Sequence, residues 1–176
     1  MARMVCDACK TEMTIVSGET YRYAESGLDN VYLLNADLYV CEGCGEQLPI
    51  LHRIEELHQA IARAIAFKPA PLSGAEIRFL RKELGLSGRK WAALLHIDHT
   101  TLSRWENEGQ ERSQHNDLLI RHVFFRMLEE QTWRLVREPV AERIASIDYE
   151  SVVEQDLLVN ADNPSVNSYR ATAASV

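Results

Sequence analysis

At 176 residues, with 46% of them hydrophobic, the chain is long enough for one ordinary domain or two small ones with packed cores. No apolar run is long enough to cross a membrane and the start, MARMVCDACK, lacks the apolar stretch of a signal peptide, so a cytoplasmic protein with reduced thiols is expected. The net charge of -7 excludes binding of nucleic acid by bulk positive charge, yet it is uneven: residues 1–71 carry 6 Lys/Arg against 10 Asp/Glu, residues 72–126 carry 9 against 7, and residues 127–176 carry 4 against 9.

The first element in chain order is a Cys-x-x-Cys pair, Cys6 and Cys9, matched by Cys41 and Cys44. A two-residue spacer lets both sulfurs of a pair face one ion, so two pairs can close a tetrahedral thiolate site. Gly43 and Gly45 let the second loop bend sharply and let amides approach the sulfurs. Strand-like runs at Met13 to Val16, Val31 to Leu34 and Leu38 to Val40, separated by polar turns, make this a small mixed zinc ribbon. Four ligands and no fifth argue for one closed, structural Zn2+ ion, because a catalytic ion keeps a position open. Rubredoxin-like iron uses the same ligands, and a redox dithiol would leave one pair unexplained.

Ile50, Ile54, Leu57, Ile61 and Ile65 recur at helical spacing and predict a helix ending near Phe67, with His52 and His58 on its surface. Lys68, Pro69, Ala70 and Pro71 stop that helix, and residues 68–72 are expected to link a first domain, 1–67, to a second, 73–137. Ser73 and Glu76 have capping-box spacing ahead of Ile77, Leu80 and Leu84, and Gly85 ends the helix. Ser87 then caps a helix burying Trp91, Ala92 and Leu95. Ile97 fills the turn, and Asp98 caps a second helix burying Leu102 and Trp105. His99, Thr100, Ser103, Arg104 and Asn107 fall on the opposite face, toward solvent or a groove. An amphipathic helical hairpin with Arg104 as a solvated charge has the same periodicity.

Residues Leu86 to Glu106 resemble the helix-turn-helix of the Xre/Cro class of repressors. Leu86, Ser87, Ala92, Leu95, Ile97, Thr101, Leu102, Ser103, Arg104, Trp105 and Glu106 match its pattern without a gap. The resemblance implies a DNA-binding set of Ser87, Arg89, Lys90, His99, Thr100, Ser103, Arg104 and Asn107. Three positions depart from it: Gly88 replaces a polar phosphate-contacting residue, His96 replaces the turn glycine, and Glu108 stands before Gly109 where the glycine comes one residue earlier.

Leu119, Val123, Phe124, Met127 and Leu128, with Leu135 and Val136 beyond, predict a helix over 116–137 whose stripe is core or dimer seam. Pro139 ends it, residues 140–150 are expected to form a short helix, and the tail from Asp162 to Val176 is expected to be mobile. The reading is therefore α+β with two domains, followed by a short helix and tail over 138–176.

The order of a four-cysteine ribbon, a helix, a Pro-containing linker and an Xre-type domain resembles the MqsA-like antitoxins over about residues 4–126. The resemblance implies a cytoplasmic homodimer that represses its own palindromic operator and neutralises a ribonuclease toxin through the zinc domain. It also places Arg104 and Thr100 at base-reading positions, with Thr100 where the family often has Asn. An acidic amino-terminal half would suit a basic partner. The alternatives are a stand-alone or phage-type regulator whose ribbon senses metal, redox state or a protein, and an enzyme. No His-Glu-x-x-His, phosphate loop or nucleophile elbow is present, and the histidines at 52, 58, 96, 99, 115 and 122 are scattered, so no enzyme is expected.

Overall fold

The computed structural model describes residues 4–108, 112–132, 140–147, 149, 155–165 and 167–171. Strand β1 (Met13–Arg22) pairs antiparallel with β2 (Val31–Cys41), Met13 opposite Cys41 and Arg22 opposite Tyr32. The register slips once in each strand and then recovers. Gly18 in β1 and Asn35 in β2 take the left-handed conformation at these bulges, with φ of 79° and 56°. The extra residue in β2 shifts its alternation by one, so Val31 and Leu33 before it and Ala36 and Leu38 after it all reach the core. The two runs expected as separate strands are thus one bulged strand.

The other edge of β2 is shared. Its Leu38–Val40 end pairs with β3 (Gln47–Pro49) and its Val31–Leu34 end pairs in parallel with β4 (Gln155–Asn160), which β5 (Asn167–Ala171) flanks antiparallel. Residues 167–171, expected within a mobile tail, instead form an edge strand of this sheet. Ahead of them, Leu157 and Val159 of β4 are buried, and the Leu157 amide donates to the Asn30 carbonyl at 2.7 Å. The parts of that expectation covering residues 166 and 172–176 lie outside the described residues.

Helix α1 (Ile54–Ala66) buries Leu57, Ile61, Ala62 and Ile65 against α2 and β4, ending at Phe67 as the stripe predicts, although Ile54 is exposed. Helix α2 (Gly74–Glu83) starts with both bonds of the Ser73–Glu76 capping box. It closes on Gly85 at φ 65°, where the Gly85 and Leu86 amides donate to Lys82 and Arg81 carbonyls. Helices α3 (Gly88–Leu94) and α4 (His99–Glu106) follow, then α5 (Gln114–Thr132) and α6 (Val140–Ala145). Leu135, Val136 and Pro139 lie outside the described residues.

One apolar cluster runs from Tyr23 in the turn after β1 and Leu33 and Leu38 in the sheet through Ile61, Ile77, Trp91, Leu102 and Phe124 to Ile144 and Val159. Residues 68–72 do not divide it, since Lys68, Ala70 and Leu72 are buried. They are fastened from α5. Arg121, fully buried, donates to Asp117 at 2.7 Å and to the carbonyls of Ala66, Lys68 and Ala70 at 2.9, 3.0 and 2.6 Å. The end carbonyls of α1 and those of a proline-broken segment have no helical partner, and a guanidinium supplies donors in a fixed fork. Asp117 in turn accepts from the Leu72 amide at 2.8 Å and the Tyr149 hydroxyl at 3.0 Å.

Candidate metal centre and candidate nucleic-acid interface

The two cysteine loops share one backbone design. The Lys10 amide donates to the Cys6 carbonyl at 2.9 Å and the Cys6 amide to the Thr11 carbonyl at 2.9 Å. Gly45 and Cys41 repeat this at 2.8 Å, and Cys41 and Glu46 at 2.9 Å. Lys10 at φ 62° occupies the position of Gly45 at φ 79°. Gly43 is required for another reason: a Cβ there would lie 2.6 Å from Thr11 Oγ1 and 3.2 Å from Cys9 Sγ.

These loops bring Cys6, Cys9, Cys41 and Cys44 together, every sulfur within 4.8 Å of the others. Cys6 Sγ lies 3.5 Å from Cys44 Sγ, and Cys9 Sγ 3.3 Å from Cys41 Sγ. A tetrahedron with metal–sulfur bonds of about 2.3 Å has edges of roughly 3.8 Å, so the four sulfurs fit a single tetrahedral metal ion after a small expansion. The Thr11 hydroxyl, then the Thr11 amide, draw the Cys9 thiol down to about 6. The Glu46 amide draws Cys44 down, but the Cys6, Cys9 and Cys41 sulfurs outweigh it and push Cys44 up to about 12. Four sulfurs this close cannot all be thiolates without a cation between them. Cys6 and Cys41 are buried with Met13 in a cluster of their own, flanked by Tyr39 and Leu48, while Cys9 and Cys44 face solvent.

The second candidate site is the α3–α4 pair. Trp91, Ala92, Leu95, Leu102 and Trp105 are buried at their crossing. The Ser87 hydroxyl caps α3 by accepting from the Lys90 amide at 3.3 Å. Asp98 is the N-cap residue of α4 by backbone conformation, but its side chain makes no capping bond, contrary to expectation. His96 takes φ 54° in the turn while the His96 and Ile97 amides donate to Ala93 and Ala92 at 3.2 and 3.0 Å, a Schellman closure with histidine in the glycine position. The His99 imidazole lies over Gly88, where a Cβ would meet Nε2 at 3.0 Å.

Ser87, Arg89, Lys90, His99, Thr100, Ser103, Arg104 and Asn107 are all exposed. Among the described residues, the side chains of Arg89, Lys90, Thr100 and Arg104 have no hydrogen-bond or ion-pair partner, whereas that of Asn107 is engaged by Arg78 at 2.5 Å. Sequence reasoning missed the frame behind this face. Glu106 is buried and accepts both arms of Arg81, at 2.6 and 2.9 Å, pinning α4 to α2. Glu108, left-handed at φ 57°, accepts from the Gly74 amide at 2.9 Å. Gly74 permits the approach, since a Cβ there would sit 2.5 Å from the Trp105 carbonyl oxygen.

His58 is half-buried rather than on the surface. Its Nε2 lies 2.8 Å from the Tyr23 hydroxyl and its Nδ1 3.6 Å from Glu83, so it joins the turn after β1 with α1 and α2. Burial pushes His58 down and Glu83 up from their ordinary ranges. Among the described residues, no helix is long and apolar enough to cross a membrane. The chain matches no protein-family model, no curated protein and no solved structure at a level that indicates kinship.

Proposed function

We propose that this chain is a cytoplasmic, sequence-specific DNA-binding repressor that presents α4 to the major groove as a homodimer on a palindromic operator. The observation that carries the reading is the division of α3 and α4: their apolar residues are buried, while Arg89, Lys90, Thr100 and Arg104 are exposed and unpartnered among the described residues. A helix pinned from behind by Glu106 and Arg81 costs little to order on binding. Arg104 is suited to the two acceptors of guanine and Thr100 to a thymine methyl or a base acceptor. Ser87, Arg89, Lys90 and His99 are suited to phosphate. Selection of duplexes from a random pool by the full-length chain tests this: one enriched sequence is expected, and Arg104→Ala should weaken binding to it by roughly 1 to 3 kcal/mol. A pool that stays random removes the reading.

The metal proposed for Cys6, Cys9, Cys41 and Cys44 is one structural Zn2+, because four soft thiolates leave no open coordination position. Elemental analysis should find one zinc per chain in a colourless protein, and a red protein would indicate iron. Under this reading the chain is not an enzyme.

The amino-terminal region is proposed to take a protein partner, as the toxin-neutralising half of an antitoxin. Exposed Met4, Val5, Ile15 and Val16 beside the cysteine loops favour this, since apolar surface around a binding site is suited to protein contact. Co-expression with the product of the adjacent reading frame should yield a stable complex with the full-length chain. Failure to form one leaves a stand-alone or phage-type regulator, and oxidising the thiols while following DNA affinity then tests a sensing ribbon.

A further inference from the structure

The C-terminal end of α4 differs from the rest of the helix. Asn107 lies on the same exposed face as Ser103 and Arg104, where an asparagine is suited to the paired donor and acceptor of an adenine edge. Its amide is already occupied at both ends. Arg78 of α2 donates through Nη2 to Asn107 Oδ1 at 2.5 Å and to the Glu106 carbonyl at 3.0 Å. Asn107 Nδ2 donates to the Ser103 carbonyl at 2.7 Å and lies 3.5 Å from Ser103 Oγ. The orientation of the amide is fixed by chemistry: a guanidinium only donates and must face the oxygen, and a carbonyl only accepts and must face the nitrogen. Arg78 also stands 3.7 Å from Glu106, so its own position is set by a buried carboxylate. A cation at this place additionally suits the negative end of α4.

We infer that Arg78 is a positioning residue for DNA reading: it clasps Asn107, withdraws it from the bases, and confines sequence recognition to Thr100, Ser103 and Arg104. This rests on the DNA-binding reading proposed above. With Asn107 donating toward Ser103 Oγ, that oxygen is used as an acceptor and the Ser103 hydroxyl hydrogen is free for a base acceptor. Glu108, whose carboxylate holds the Gly74 amide, closes the same end of the helix from below, so the clasp forms within a fixed turn.

The test compares duplexes enriched from a random pool by the full-length wild type, Asn107→Ala, Arg78→Ala and the double variant. Asn107→Ala, at an exposed position, should enrich the wild-type sequence and bind it within about threefold of the wild type, because no base loses a contact. Arg78→Ala should free the Asn107 amide and add one preferred base at an edge of the site, by about fivefold or more over the others, and the double variant should lose that added preference. A merely structural Arg78 would lower affinity for every duplex without adding a preference. If Arg78→Ala fails to fold, Asn107→Ala alone decides. Loss of one base preference in Asn107→Ala, or an unchanged preference in a folded Arg78→Ala, overturns the inference while leaving DNA reading intact. A wild type that enriches nothing overturns both.

Discussion

Around the cysteines, among the described residues, only Cys6, Met13 and Cys41 are buried together, with Tyr39 and Leu48 against them. Trp91, Ala92, Leu95, Leu102 and Trp105 instead belong to a core that continues through α1, α2 and α5 into the sheet. The cysteine loops therefore have little apolar surface to hold their shape, and under the proposed reading they depend on the bonds four thiolates would make to a metal. The α3–α4 pair depends on burial and on the Arg81–Glu106 ion pair behind it. A region that relies on a metal can be dismantled by removing one atom, whereas a region that relies on a shared core fails only with the whole chain.

The largest effect expected is on the metal side of this contrast. Structural zinc sites contribute on the order of 10 kcal/mol to the segment they fold, so Cys41→Ser should abolish stoichiometric metal binding. In hydrogen exchange, the protected amides of Cys6, Lys10, Cys41 and Gly45 should become fast while those of Leu95 and Leu102 stay slow. Equal loss in both places would mean that the metal holds the entire chain.

Arg121→Met should come next, lowering global stability by about 3 to 5 kcal/mol, since it strands the buried Asp117 carboxylate and three carbonyls. Urea unfolding measures the loss, and adding Asp117→Asn should restore part of it. A change under about 1 kcal/mol would show that the 66–72 segment is held by apolar packing instead.

A smaller, pH-dependent effect belongs to His58. Burial lowers its folded value below the ordinary 6.5, so the unfolded chain binds more protons in that window and stability should fall as pH drops through 6.5. The difference between wild type and His58→Gln across that window isolates it, and parallel curves would remove the assignment.

The smallest effects have the opposite sign and compare the two regions directly. Lys10 and His96 each stand in a left-handed turn where Gly45 and Gly85 do the same work in the neighbouring motif. Lys10→Gly should tighten metal retention and His96→Gly should raise the unfolding midpoint, each by about 1 kcal/mol. Chelator competition and urea unfolding read them separately.

What was legible in the sequence followed rules of short range. The two Cys-x-x-Cys pairs, the Ser73–Glu76 capping box and the Gly85 helix stop depend on spacings of a few residues, and the structure gathers the four sulfurs where they could hold one ion and forms the box and the stop. The strand Gln155–Asn160 carries no such signal, because its parallel partner, residues 31–34 of β2, lies far back along the chain. Arg121 was invisible for a different reason: periodicity assigns charges to the outside, and only the run of unpaired carbonyls at Ala66, Lys68 and Ala70 calls for a buried guanidinium. His58 was misplaced because the hydroxyl that satisfies it, on Tyr23, comes from the turn after β1. The expected reading face did emerge exposed, but its frame of Arg78, Arg81, Glu106 and Glu108 depends on contacts between helices that spacing does not encode.

The measurement that bears most directly on the account is the specific DNA affinity of the full-length chain, loaded with zinc and then stripped by a chelator, on one selected duplex. The account predicts a selected sequence and affinities within about threefold of each other, because α4 is held by the shared core and not by the metal. Absence of any selected sequence, or a loss of more than about tenfold on chelation, would contradict it.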